Sequence, residues 1–192
     1  MDLLTDGRLD LGLGAGYMRI EYEQAGLRFD RGGVRVERLA ESIAIIKGLL
    51  GGSEVNFAGR HYRVTGHRIH PLPVQRPHPP IVVGGNGPRL LGLAAKEADI
   101  VNFTGITFTR GGTAPDMSGW RAAAIDERMR IVRAAAGQRF DRLVLSAQVQ
   151  RVIVTDRRRE AGAELEPRWK QLRVVEILGG PYGLNGMCGR SG

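Results

Sequence analysis

The sequence predicts an α/β fold with parallel strands. Two observations carry the prediction. Strand patterns and helix patterns alternate along most of the 192 residues, and such alternation sets parallel strands beside crossover helices. One run, Ile81-Val82-Val83, is wholly apolar, as strands covered on both faces of a parallel sheet are.

Composition narrows the class. Hydrophobic residues make up 42% and charged residues 25%, which suits a packed domain and excludes general disorder. No apolar run reaches the ~18 residues of a membrane helix. Met1–Gly7 has no basic n-region or apolar h-region, so no secretory signal is expected. Cys188 is the single cysteine, which excludes an internal disulfide and a thiolate metal cluster and fits a cytoplasmic protein. Glycine accounts for 28 residues, about twice the usual ~7%. The net charge of +8 favours acidic ligands through long-range attraction.

Taken in order, Arg8–Leu13 reads as a strand, because Leu9, Leu11 and Leu13 alternate with Arg8, Asp10 and Gly12. A loop is expected from Tyr17 to Gly33. Arg35–Leu50 reads as a helix: Leu39, Ile43, Ile46 and Leu50 share one face, and Gly51-Gly52 end it. Glu54–Phe57 and His61–Val64 read as a hairpin. Pro71, Pro73, Pro77, Pro79 and Pro80 make the next stretch extended and stiff. It leads to the strand Ile81–Val83 and the turn Gly84–Gly87. Pro88 opens a helix that runs to Glu97. Asp99–Phe103 is a strand and Thr104–Gly119 a mobile loop. Trp120–Ala136 is an amphipathic helix stopped by Gly137. Leu143–Val154 is one long strand, and Arg157–Leu178 is helical with a break at Pro167. The stretch from Gly179 to Gly192 has no periodic pattern.

In parallel α/β folds, ligands bind at the carboxyl ends of the strands. Two glycine clusters lie there. For Gly12-Leu13-Gly14-Ala15-Gly16, two readings stand. It is a bend or bulge, or it lets a flat ring lie against the backbone. Its spacing is not that of a Rossmann fingerprint. Gly84-Gly85-Asn86-Gly87-Pro88 is either a plain turn or an anion site, where free amides and a helix dipole hold a phosphate. It lacks the Lys-Ser/Thr of a P-loop. The histidines, His61, His67, His70 and His78, have no ligand-like spacing, and no metal site is expected. Asp156–Glu160 lacks the interleaved aromatics of a nucleic-acid surface, so no nucleic-acid partner is expected.

These residues carry a resemblance. Leu3-Leu4-Thr5-Asp6-Gly7-Arg8-Leu9-Asp10-Leu11-Gly12-Leu13-Gly14-Ala15-Gly16-Tyr17 resembles the opening signature of the luciferase-like monooxygenases. Arg38–Ser42, Phe57–Tyr62, Pro73–Gly85 and Ala94–Ile100 follow in family order. The resemblance covers about residues 2–178, and its closest branch uses the deazaflavin coenzyme F420. It implies a TIM-type (β/α)8 barrel and hydride transfer between F420 and an unknown small organic molecule. The alternative cofactor is FMN, in a monooxygenase that needs reduced flavin and oxygen. By position, Gly14, Ala15, Gly16 and Tyr17 would lie against the ring, and Gly84, Gly85, Asn86 and Gly87 near the phosphate and tail. Tyr17 stands where one branch has a catalytic glutamate, so that branch's acid catalysis does not carry over and no catalytic residue is assigned.

Against a barrel of ~250 residues, the resemblance implies a partial barrel. Residues 1–178 would supply roughly strands four to seven, with a small hairpin insertion. Residues 179–192 would be an irregular tail outside the fold. A truncated, inactive fragment is the further alternative. An open half-barrel is expected to self-associate through its exposed edges.

Overall fold

Four short runs pair in parallel to make the central sheet: β1 (Leu11–Leu13), β4 (Ile81–Gly85), β5 (Ile100–Phe103) and β8 (Val144–Ala147), in that spatial order. The structure, a computed structural model, describes residues 1–104, 107–108, 115–116, 119, 121–148, 151–165 and 183–186. The helices between the strands are α2 (Gly32–Leu50), α3 (Pro88–Glu97) and α4 (Ala122–Ala136). A short α1 (Arg19–Gln24) precedes α2, and the hairpin β2 (Val55–Ala58) and β3 (Arg63–His67) follows it.

Strand order rises steadily with sequence, and the helices cover one face. A doubly wound sheet would reverse its order at a switch point, so this is a sector of a (β/α)8 barrel. The covered face holds the core. Ile81, Val83, Val101 and Phe103 point to it and pack with Leu39 and Ile43 of α2, Leu91, Ala94 and Ala95 of α3, and Val132 of α4. Alternate residues Val82, Gly84 and Asn102 face the other way and are only half-buried. The expectation that Ile81–Val83 is buried on both faces is therefore corrected: the second face opens onto a cavity. Among the described residues β1 and β8 are the sheet's edges, and no helix is long and apolar enough to cross a membrane.

Helix α3 spans Pro88–Glu97 as predicted, with Pro88 in its first turn. Gly137, with φ of +53°, ends α4. Other boundaries move, each for a tertiary reason. The first strand starts at Leu11 rather than Arg8, because the Leu9 carbonyl accepts the Gln75 side-chain amide at 2.8 Å instead of a strand partner. The second hairpin strand starts at Arg63 rather than His61. The amides of Arg60, His61 and Tyr62 are already given to the Glu41 carboxylate of α2, at 2.8, 3.0 and 2.9 Å. The proline-rich stretch is a chain of bends, not a stiff rod. The Asp2 carboxylate accepts the amides of Val74 and Gln75, at 2.7 and 3.0 Å, and folds that stretch back on the N-terminal turn.

The predicted strand Leu143–Val154 is two strands. β8 belongs to the main sheet, whereas β9 (Arg151–Val154) pairs in parallel with β10 (Gly183–Gly186). The expected loop after β5 contains a two-residue antiparallel ladder, β6 (Thr107–Phe108) with β7 (Pro115–Asp116). Of the helix predicted over 157–178, α5 (Arg158–Leu165) is described and begins one residue later, and residues 166–178 lie outside the described residues, as does Trp120. Arg128 of α4 is buried, because it shares the core-facing stripe with Val132 one turn on. It donates to the carbonyls of Thr104 and Gly119, at 3.2 and 2.9 Å.

Asp2 and Glu41 are acid-sensitive clasps. The amide of Gln75, then its side chain and the amide of Val74, hold the Asp2 carboxyl below the usual range despite partial desolvation. At Glu41, desolvation pushes upward, but the three amides of His61, Arg60 and Tyr62 together win and lower it. Both folded-state pKa values are depressed. The stability they contribute is present above the unfolded carboxylate range of ~4 and is lost as pH falls through the folded values. The expected result is a Tm that drops on acidification below about pH 4, with a shallower drop and a lower starting Tm in an Asp2→Asn/Glu41→Gln double variant. Thermal melts from pH 7 to pH 3 check this.

Candidate functional site

Because the four strands are parallel, their carboxyl ends meet on one side. Gly14 follows β1, Asn86 follows β4, Thr104 follows β5 and Gln148 follows β8. All four border a single cavity of about 1200 Å³, larger than a typical ligand pocket of ~300–1,000 Å³. All eight residues singled out from the sequence line it: Gly14, Ala15, Gly16 and Tyr17 on one wall, Gly84, Gly85, Asn86 and Gly87 on the other. Tyr17 stands at the rim, 58% exposed. Among the described residues no cluster of three His, Cys, Asp or Glu could hold a metal. His61 instead contacts Glu37 on the surface at 3.1 Å.

The glycines divide by what a side chain would meet. A Cβ on Gly16 would run into the Tyr22 ring, and its φ of +71° is left-handed. A Cβ on Gly85 would run into Leu90. These two glycines serve the fold. By contrast, among the described residues a Cβ on Gly12, Gly14 or Gly87 meets nothing within 4 Å, and none of the three has a left-handed φ. Neither crowding among the described residues nor backbone strain calls for glycine there. The space they leave belongs to the cavity, and it suits a flat ring lying against the end of β1.

The glycine wall is held from behind. The Tyr22 hydroxyl of α1 donates to the Ala15 carbonyl at 3.3 Å, and Arg35 Nε of α2 donates to the Gly16 carbonyl at 3.2 Å. Arg35 also bonds the Asp30 carbonyl and stacks on Phe29, 4.1 Å from the ring centroid. At the other wall, Gly87 is the N-cap of α3 with no side-chain cap, and Pro88 brings no N–H. The first-turn amides of Arg89 and Leu90 have no acceptor within the helix, and the positive end of the α3 dipole lies beside the cavity. That end suits a phosphate.

The polar side is built across strands. Asn102 Nδ2 donates to Ser146 Oγ at 2.9 Å, and Asn86 Nδ2 to Thr104 Oγ1 at 2.8 Å. Asn102, Thr104, Gln148, Arg35 and Arg89 line the cavity but were not marked by the sequence reading. A signal existed for Asn102, a polar residue between Val101 and Phe103 in a strand pattern. Reading 143–154 as one strand hid Gln148, which follows β8. Nothing local marks Arg35. Asp99, part of the family-like Ala94–Ile100 stretch, lies at the opposite end of the sheet. Its carboxylate accepts the Ile81 amide at 2.9 Å and is structural.

Comparison with known proteins agrees with this architecture. The FMNH2-dependent dimethylsulfone monooxygenase of Pseudomonas putida is 29% identical over 99 residues, which are 52% of this chain and 27% of that enzyme. A monooxygenase from Streptomyces bottropensis matches with a TM-score of 0.62 at 19% identity, over 88% of this chain and 47% of its own. The coenzyme F420-dependent tetrahydromethanopterin reductase of Methanopyrus kandleri matches with a TM-score of 0.60 at 16% identity, over 79% of this chain and 43% of its own. The chain thus spans less than half the length of each, and the structural matches speak for the fold alone. The model of the luciferase-like monooxygenase family matches residues 1–184, and the chain belongs to that family.

Proposed function

We propose that this chain serves hydride transfer between the deazaflavin coenzyme F420 and a small organic substrate. The observation that carries the proposal is the cavity at the strand ends, with side-chain-free Gly12 and Gly14 on one wall and the uncapped start of α3 on the other. A ring fits the first and a phosphate the second. When bound, the deazaflavin would supply a two-electron hydride acceptor. The chain's own part is to seat the ring on the β1 end, hold the loop below it through Tyr22 and Arg35, and draw in an acidic ligand. The net charge of +8 supports the polyanionic F420 over the singly phosphorylated FMN.

Fluorescence titration of the purified chain with F420 and with FMN tests this. Tighter binding of F420 is the expected result. Tight FMN binding with none of F420 would overturn it in favour of an FMN-dependent monooxygenase, the reading that the Pseudomonas putida relative supports. The exposed Val144 on the β8 edge, 55% accessible, supports association of copies through sheet edges. Sedimentation velocity showing a monomer at all concentrations would count against that association.

A further inference from the structure

We infer that two copies of this chain close into one eight-stranded barrel, β8 of each copy pairing in parallel with β1 of the other, an inference that rests on the edge association proposed above and fixes which strands meet and how many copies. A (β/α)8 barrel closes with eight strands. The central sheet supplies four, all parallel and in steadily rising order, with its helices on one face. It is therefore half of the circle. Joining β8 to a second copy's β1 is a head-to-tail step, and repeating it once returns to the first copy. A head-to-tail contact whose rotation closes gives a ring rather than a filament, and here the ring holds two copies.

The inner face of the sheet suits such a partner. Gly12, Val82, Ile100 and Val144 stand in one register row across β1, β4, β5 and β8. Their chain neighbours Leu13, Val83, Val101 and Leu145 pack towards the helices, so the row faces the other way. Val82 and Ile100 are only half-buried, and Val144 is 55% exposed. Branched apolar side chains of this kind fill the interior of a closed barrel. Open to water, they forgo the burial that stabilises a core. The outer edges of β1 and β8 have no strand partner among the described residues, and each is a template for pairing with another chain. A second copy brings the same row and the same two edges, so it meets both needs at once. Each β8 edge finds a β1 edge, and the valines and isoleucines of the two copies face one another across the interior. The cavity is completed as well. Its described walls lie at the ends of β1, β4, β5 and β8, and the second copy's strand ends close the far side.

Sedimentation velocity of the unaltered chain gives the number of copies. It is run at ~0.15 M salt, where repulsion between copies of net charge +8 is screened beyond ~8 Å. The expected result is a monomer giving way to a dimer as concentration rises, with no larger species. A monomer throughout overturns both edge association and the closed dimer. Growth past the dimer leaves edge association standing and overturns closure. Crosslinking identifies the strands that meet. In a Cys188→Ser background, which removes the single native cysteine, Gly12→Cys together with Val144→Cys places one thiol on each edge strand. Paired strands lie ~5 Å apart, within reach of a short bismaleimide, whereas the two thiols of one copy are three strand spacings apart in their own sheet. The double variant should give a covalent dimer on a denaturing gel, and neither single variant should. Crosslinking of either single variant would mean that like edges meet, and a double variant without covalent dimer would mean that the copies meet elsewhere. Either result overturns the inference. If a variant fails to fold, read as a lost thermal transition, sedimentation of the unaltered chain decides by itself.

Discussion

Replacing Gly14 with valine is expected to weaken ring binding on the order of a hundredfold while leaving the fold intact. The two halves of that expectation have separate causes. Gly14 has an ordinary φ, and a Cβ there meets no atom of the described residues within 4 Å, so the chain tolerates a side chain. That side chain projects into the cavity, where the ring would lie. A ring that buries roughly 100 Å² on this wall gains ~2.5 kcal/mol from it, worth nearly two powers of ten in affinity. Titration with F420 and FMN, beside a thermal melt, checks both halves. Unchanged affinity in Gly14→Val would remove the glycine wall from the site. Gly16→Val is the instructive contrast. Its left-handed φ and the Tyr22 ring behind it predict a loss of stability together with binding.

Leu91→Ala is expected to cost the fold ~3 kcal/mol, within the ~2–5 kcal/mol range for buried leucine truncation. Leu91 is 1% exposed and sits in the core cluster with Ile81, Val83 and Val101 of the sheet and Val132 of α4. Truncation leaves a void among the helices and strands it joins. Urea denaturation should show a lower midpoint with an unchanged m-value. A second consequence follows from position. The same helix presents Gly87 and Arg89 to the cavity, so phosphorylated ligands should lose more affinity than ring-only ligands. A change below about 1 kcal/mol would mean that α3 is not packed as described, since well-buried leucines do not give so small a cost.

Some of this was legible from the chain alone, and the rest was not, for identifiable reasons. The bounds of α3 and the stop of α4 follow from Pro88 and Gly137, whose effect is confined to their own backbone. The two glycine clusters were legible as site candidates because parallel strands share one carboxyl end. Their division of labour was not. Gly14 and Gly16 are two residues apart, yet one leaves room for a ligand and the other for Tyr22. The start of β3 was missed because its preceding amides are taken by Glu41, about twenty residues upstream. The short α1 was read as loop: six residues cannot hold a helix by propensity alone, and the Tyr22 contact to Ala15 supplies what propensity lacks.

The sequence by itself thus determined the α/β class, the order of the main elements, the family, and which two turns lie at the carboxyl ends of the strands. These depend on periodicity, turn residues and motif order, all local properties of the chain. Only the tertiary structure decided which glycines are vacant for a ligand and why Asp2 and Glu41 are clasps. Each of those depends on side chains brought together from distant segments. Their meeting is set by how the helices pack on the sheet, which no short window of sequence contains.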